Sequence, residues 1–246
     1  MTALNWLARR QRWRSLVFVA LVLPLAAVAD ADPTPPVPSG KLIVLPMNVE
    51  DVPPEYLADG TEILDVVLAE QLRRAGVDFV QLSLVDGIRR WAGAIEAIGG
   101  LVVDLDGIST ESVERARRRL VTSLAQEFDA VGVVWPDVRE RRGKANDGKL
   151  FWDGASRVIP GDYEARLVHT PAAGSSIRMR LFDSDGALVH DAHVALEVIH
   201  RFQVLDTDYS YRQRRIWYEY RVRSDLFEDE GLLREAIRAS LPQGLR

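Results

Sequence analysis

The stretch from Tyr209 to Arg223 concentrates side chains that suit binding rather than bond-making. It holds four of the chain's six tyrosines and five arginines. Read as a strand, it puts Ile216, Tyr218, Tyr220 and Val222 on one face. Arg215, Trp217, Glu219, Arg221 and Arg223 then share the other. Tyr, Trp and Arg bury large areas while keeping a polar handle, which is why they dominate the energetics of protein interfaces. Tyr209, Tyr211, Arg212, Arg214, Arg215, Trp217, Tyr218, Tyr220 and Arg221 are therefore the expected contact residues. Two other readings stay open. The aromatic face can pack on the protein's own core while the arginines are solvated, or rings and guanidinium groups can grip a glycan or anionic polymer by stacking and forked hydrogen bonds.

Other polar groups invite chemistry and are better explained without it. Asp191, His193 and Glu197 fall on one face of a strand, a carboxylate and imidazole set of the kind that binds metals. No histidine pair has helical i, i+4 spacing, so surface or rim histidines are the plainer reading, with no metal. Asp51, Asp104, Asp106 and Asp137 stand near expected strand or loop ends, where a hydrolase would place paired carboxylates. Nothing in the sequence pairs any two of them, and aspartates there commonly end strands or cap helices. No phosphate-binding glycine loop and no nucleophile elbow is present. With no cysteine, thiolate metal sites, cysteine nucleophiles and disulfides are all excluded. The expectation is a non-enzyme with no cofactor.

The elements that would carry these residues read as α/β. Lys41 to Pro46 is a short aliphatic run closed by proline, expected as a buried strand. A helix follows between Pro53 and Ala75, with Ile63, Val67, Leu68 and Leu72 as its apolar stripe and Gly76 as its stop. Residues 77–82 alternate like a strand. Residues 86–99 place Ile88, Trp91, Ile95 and Ile98 at helical spacing. Ser109 or Thr110 caps the next helix, whose apolar face is Val113, Ala116, Leu120, Val121, Leu124 and Phe128. Arg115, Arg117, Arg118 and Arg119 lie mostly on its solvated face. Ala130 to Trp135 is a third buried strand, ended by Pro136. The β-α-β-α-β order implies a two- or three-layer mixed sheet with parallel pairs. Ile177, Met179 and Leu181 alternate with Arg178, Arg180 and Phe182, and Asp183-Ser184-Asp185-Gly186 makes a turn. Leu188, Ala192, Val194, Leu196 and Val198 return on one face, giving an antiparallel hairpin with one buried side. Leu226 to Leu241 forms a closing helix, and residues 139–175 carry one expected strand at 150–152.

The first residues read as an address. Arg9, Arg10, Arg12 and Arg14 precede a 14-residue apolar run, Leu16 to Ala29, that ends in Ala27-Val28-Ala29. That is the layout of a secretory signal peptide over residues 1–29, cut after Ala29 or Ala31. The run is short of the roughly 20 residues a spanning helix needs. Without a cysteine the mature chain is no lipoprotein, so membrane contact is indirect unless the signal stays uncut. Residues 30–40, with four prolines in seven residues, form an extended tether, and residues 41–246 one α/β domain. Removing four arginines from 31 basic residues leaves 27 against 36 acids, a net charge of −9. So acidic a chain is unsuited to wrapping nucleic acid.

Lys41-Leu42-Ile43-Val44-Leu45-Pro46, the helix ending Leu72-Arg73-Arg74-Ala75-Gly76, the turn unit Leu181 to Val189 and the helix Leu232 to Leu241 carry a resemblance. In this order they resemble the periplasmic family that includes the TolB N-terminal domain, the curli secretion component CsgG and the penicillin-binding-protein activator LpoB. The resemblance implies a non-catalytic envelope adaptor or assembly subunit in the periplasm, acting through a protein partner or through copies of itself. Binding of a cell-wall glycan or other anionic polymer is the alternative function. Many members are lipoproteins, which this chain is not, and its aromatic and basic segment does not map onto the family pattern.

Overall fold

The computed structural model describes residues 39–105, 107–161, 173–208 and 215–246, with backbone alone described at 202–208 and 215–220. The expected signal peptide and most of the proline tether lie outside them. A five-stranded mixed sheet organises these residues. Its strands are β1 (Leu42–Val44), β2 (Phe79–Gln81), β5 (Gly132–Arg142), β9 (Ala173–Asp183) and β10 (Leu188–Val198), in the order β10-β9-β5-β1-β2. β1 runs parallel to β2 and β5, whereas β5–β9 and β9–β10 are antiparallel. The expected α/β class is observed, as a three-layer arrangement.

Alternation along the central strands builds two cores. Leu42, Val44, Val134, Val138, Ile177, Met179 and Leu181 face α1 (Glu55–Arg74) and α4 (Glu230–Ser240). Ile43, Leu45, Val133, Trp135 and Phe182 face α2 (Leu84–Ala97) and α3 (Thr110–Phe128). Both faces of β9 are therefore buried, not the single face expected. Phe182 and Arg180 are buried along with the aliphatic set. Each fully buried aliphatic side chain contributes roughly 1.5–3 kcal/mol.

Helix ends follow their local chemistry. α1 closes in a Schellman motif: Gly76 takes φ 71°, its N–H donates to the Arg73 carbonyl, and Val77 N–H donates to Leu72. Its buried stripe is Leu57, Leu64, Val67, Leu68 and Leu72; Leu64 takes the place expected for Ile63, which is exposed. Ile88 of α2 is likewise exposed while Trp91 and Ala94 are buried. α4 starts at Glu230, later than expected, with Asp229 accepting from Leu232 N–H as its cap.

Pro136 does not end its strand, because β5 continues to Arg142. Pro136 O accepts from Asn48 N–H, so this residue's polar edge faces the β1 side. The β1–β5 ladder there reaches only Val134, and a proline costs the sheet nothing where no partner strand needs its N–H. In β10 a bulge between Ala195 and Val198 sends Leu196 to the α1/α4 core and Val198 to a separate cluster with Leu150 and Trp152, so the two do not share a face. Where one strand at 150–152 is expected, the chain forms a meander of β6 (Lys144–Asn146), β7 (Lys149–Trp152) and β8 (Ala155–Val158). A two-residue hairpin, β3 (Val103–Asp104) with β4 (Gly107–Ile108), links α2 to α3, and a separate ribbon pairs β11 (His200–Asp208) with β12 (Arg215–Val222).

Candidate functional site

Open α/β sheets hold ligands beyond the carboxyl ends of their parallel strands. Here that place is the loop after β1, Leu45 to Pro54, and it is tied down by polar groups. Asn48 adopts φ 57° and its side-chain amide copies a strand: Nδ2 donates to Val138 O at 3.0 Å and Oδ1 accepts from Val138 N–H at 3.0 Å. The chain is thus held to β5 after the β1 ladder stops.

Two residues later the loop inserts Glu50 into a buried charge network. Arg180, 1% exposed, donates from Nη2 to Glu50 Oε2 at 2.8 Å and to Asp137 Oδ2 at 2.9 Å. Arg117 also pairs with Glu50 and reaches Glu114, and Arg139 pairs with Asp137. Arg117 is thus buried, unlike its neighbours on the solvated face of α3. Burial opposes the charge on Glu50, yet Arg180 and Arg117 together outweigh it and hold the carboxyl below its ordinary range. Burial pulls the Arg180 guanidinium down, against the two carboxylates. Among the described residues, Arg180 Nε and Nη1, Arg117 Nε and Trp135 Nε1 have no hydrogen-bond partner. The two guanidinium carbons instead lie 5.3 and 5.6 Å from the Trp135 ring, a cation–π arrangement that stabilises the buried charges. Trp91 and Phe182 pack edge-on against the same ring at 5.6 and 5.9 Å.

Two clefts flank the loop. One, of about 470 Å³, lies between the loop and the start of α3, and Asp51, Trp91, Ile108, Arg117, Arg139 and Arg178 are among its walls. The other, of about 680 Å³, lies between α1 and the end of β2; its polar walls include Asp59, Glu62, Asp65 and Gln81. Asp65 Oδ1 accepts from Met47 N–H at 2.9 Å. Burial raises its pKa to about 7, the Met47 bond opposing and Glu62 adding to the rise. The nearby hydroxyls are engaged: Thr61 donates to Ala58 O, and Ser83 donates to the Asp86 carboxylate and caps α2. Asp65 is thus a hydrogen-bonded, titrating wall of this cleft, with Asp59 and Glu62 beside it.

Apolar side chains surround the same loop. Leu84 shares a cleft with Met47, a Cβ on Gly87 would touch Pro46 and Val49, and Ile108 shares a cleft with Glu50 and Asp51. Val52 of the loop, Leu84, Val85 and Ile88 of α2, and Val103, Leu105 and Ile108 of the β3–β4 hairpin are exposed.

Of the expected contact residues, Tyr209, Tyr211, Arg212 and Arg214 lie outside the described residues. Arg215, Trp217, Tyr218 and Tyr220 fall in β12, where Trp217 stands opposite Asp206 and Tyr218 opposite Val204; Arg221 is exposed near the strand's end. Arg223 anchors the ribbon: its N–H donates to Ile199 O, and its side chain joins Glu197 to Asp225. Of the four aspartates of the sequence reading, the three described ones sit on different elements. Asp137 lies inside β5 rather than ending a strand, Asp51 lines a cleft, Asp104 sits in β3, and Asp106 is outside the described residues. His193 lies 3.9 Å from Asp191, whose carboxylate is held by Arg178 at 2.7 and 2.8 Å, and His190 Nε2 contacts Ser240 O at 2.8 Å. Among the described residues no group of three His, Asp or Glu is placed to hold a metal, and no helix is long and apolar enough to cross a membrane. Glu50, Arg117, Arg180 and Asp65 escaped the sequence reading as members of a site. Arg180 carried a signal, a charge amid the apolar run Ile177 to Phe182.

No family model matches this sequence, and no curated protein matches it. Among solved structures, the PelC dodecamer from Paraburkholderia phytofirmans is similar over 83% of this chain and 86% of that one. The two share 16% sequence identity, with a TM-score of 0.34.

Proposed function

We propose that this chain is an exported, non-catalytic adaptor or assembly subunit of the cell envelope that works by protein–protein contact, as the TolB-, CsgG- and LpoB-like domains it resembles would. One observation carries the reading: Leu84 and Ile108, which line the clefts flanking the loop after β1, are exposed together with Val85 and Ile88 of α2 and with Val103 and Leu105 of the β3–β4 hairpin. Single apolar residues on a surface are ordinary, whereas several on two consecutive elements suit a contact site. The buried Glu50–Arg180–Asp137 network supports this reading too, since it holds the loop rigid and a preformed surface loses less entropy on binding. The segment Tyr209 to Arg223, whose described part includes β12, supplies a second contact surface.

Photoreactive residues at positions 105 and 217, cross-linked in the native cell, test this. A discrete protein adduct at either position supports the adaptor and identifies its partner, and self-adducts support an assembly subunit. Absence of any protein adduct at both, with salt-sensitive retention on purified peptidoglycan, would replace it with the glycan-binding alternative.

A further inference from the structure

α3 carries a second surface with a different chemistry. Arg115, Arg118 and Arg119 are exposed on it and, with Ile98 and Thr122, line a groove of about 560 Å³. Positions i, i+3, i+4 and i+7 neighbour one another on a helix surface, so the three guanidinium groups crowd one face. Among the described residues none has a carboxylate within ion-pair distance; Arg115 reaches only the Ile98 carbonyl, at 3.5 Å. Of the helix carboxylates near them, Glu114 pairs with Arg117 and Glu127 with Arg90, while Glu111 stands one turn before Arg115 without an ion pair among the described residues. The β9–β10 turn also abuts this face, since a Cβ on Gly186 would lie 2.7 Å from Arg118 Cγ. Its Asp183 carboxylate already accepts from Asp185 and Ala187 N–H. Three like charges this close, none of them in an ion pair among the described residues, repel each other.

We infer that this face of α3 docks a short acidic segment of a partner protein, an inference that rests on the adaptor reading. The length of the patch selects the partner. Glu111 and Glu114 stand at its amino-terminal end, and Glu127 and Asp129 at its carboxyl-terminal end. A long polyanion laid along α3 would run into those carboxylates, while two or three acidic side chains fit between them. Ile98 and the arginine stems give the segment an apolar floor.

A fluorescein-labelled hexa-glutamate peptide titrated into the full chain by anisotropy tests this, beside the variant Arg118→Gln/Arg119→Gln. A charge-matched control, Lys144→Gln/Lys149→Gln, lies on the exposed β6–β7 meander. The expected result is saturable binding that weakens with salt, at least tenfold weaker in the α3 variant and within twofold of the unmodified protein in the control. The α3 variant should also melt no lower than the unmodified protein, since it removes repulsion. Equal losses in both variants, no saturable binding, or tighter binding of heparin than of the peptide by the same arginines would overturn it. Recovery of a partner through position 105 that is unchanged by Arg118→Gln/Arg119→Gln would sink this inference and leave the adaptor reading intact.

Discussion

Arg180 is the residue on which the site's electrostatics turn. It is shielded from solvent, and it serves two carboxylates from one nitrogen. Replacing it with Met leaves Glu50 and Asp137 buried without their shared cation, and breaking such a pair costs about 3–5 kcal/mol. Urea denaturation of Arg180→Met should show that loss, and adding Glu50→Gln with Asp137→Asn should recover most of it, because burying neutral amides is far cheaper than burying charges. Asp65 gives a contrasting signature. Its pKa is about 7 in the folded state and 3.8 in the reference state, so the native protein binds the extra proton between those values. Stability contributed by this group therefore falls as pH rises from about 4 to about 7 and is level above that. Asp65→Asn should abolish that slope and melt higher than the unmodified protein at pH 8, as its amide oxygen can still accept from Met47 N–H. Glu50, lowered, acts in the opposite sense: its contribution is present above 4.5 and is lost as acid protonates it.

Among the elements, β5 carries the tightest constraint. A Cβ at Gly132 would lie 2.5 Å from the Phe182 carbonyl oxygen, a backbone atom held in the β5–β9 ladder. Gly132→Ala forces the two strands apart where neither can yield, and thermal or urea unfolding should register a loss of about 1–3 kcal/mol. Elements of this kind were legible where one local pattern dominated: the aliphatic run of β1, the 3.6-residue stripe and Gly76 stop of α1, the Asp-Gly turn between β9 and β10. Choices between adjacent apolar residues were not legible, which is why Leu64 rather than Ile63 is buried; both fit a helical stripe, and only the position of the sheet decides. Pro136 misled because its missing N–H matters only if a partner strand needs it, a fact about β1's length. The charge network was illegible for a simpler reason. Glu50 and Arg180 are 130 residues apart, and nothing local to either announces the other.

For the whole molecule, the exposed apolar residues of the β3–β4 hairpin are the contact to test. Leu105→Asp combined with Val103→Asp adds charge at two exposed positions and should leave the melting temperature within a few degrees. Partner recovery should fall at least tenfold, or a self-assembly seen by sedimentation should dissociate, if those residues make the contact. The five-stranded sheet has a history written into its strand order. β1 lodges between β2 and β5, and Leu42 waits for Gly132, 90 residues further along, before its second edge is covered. β5 in turn waits for β9. A chain emerging amino-terminus first therefore cannot cover both edges of its central strand, β5, until β9 has followed it.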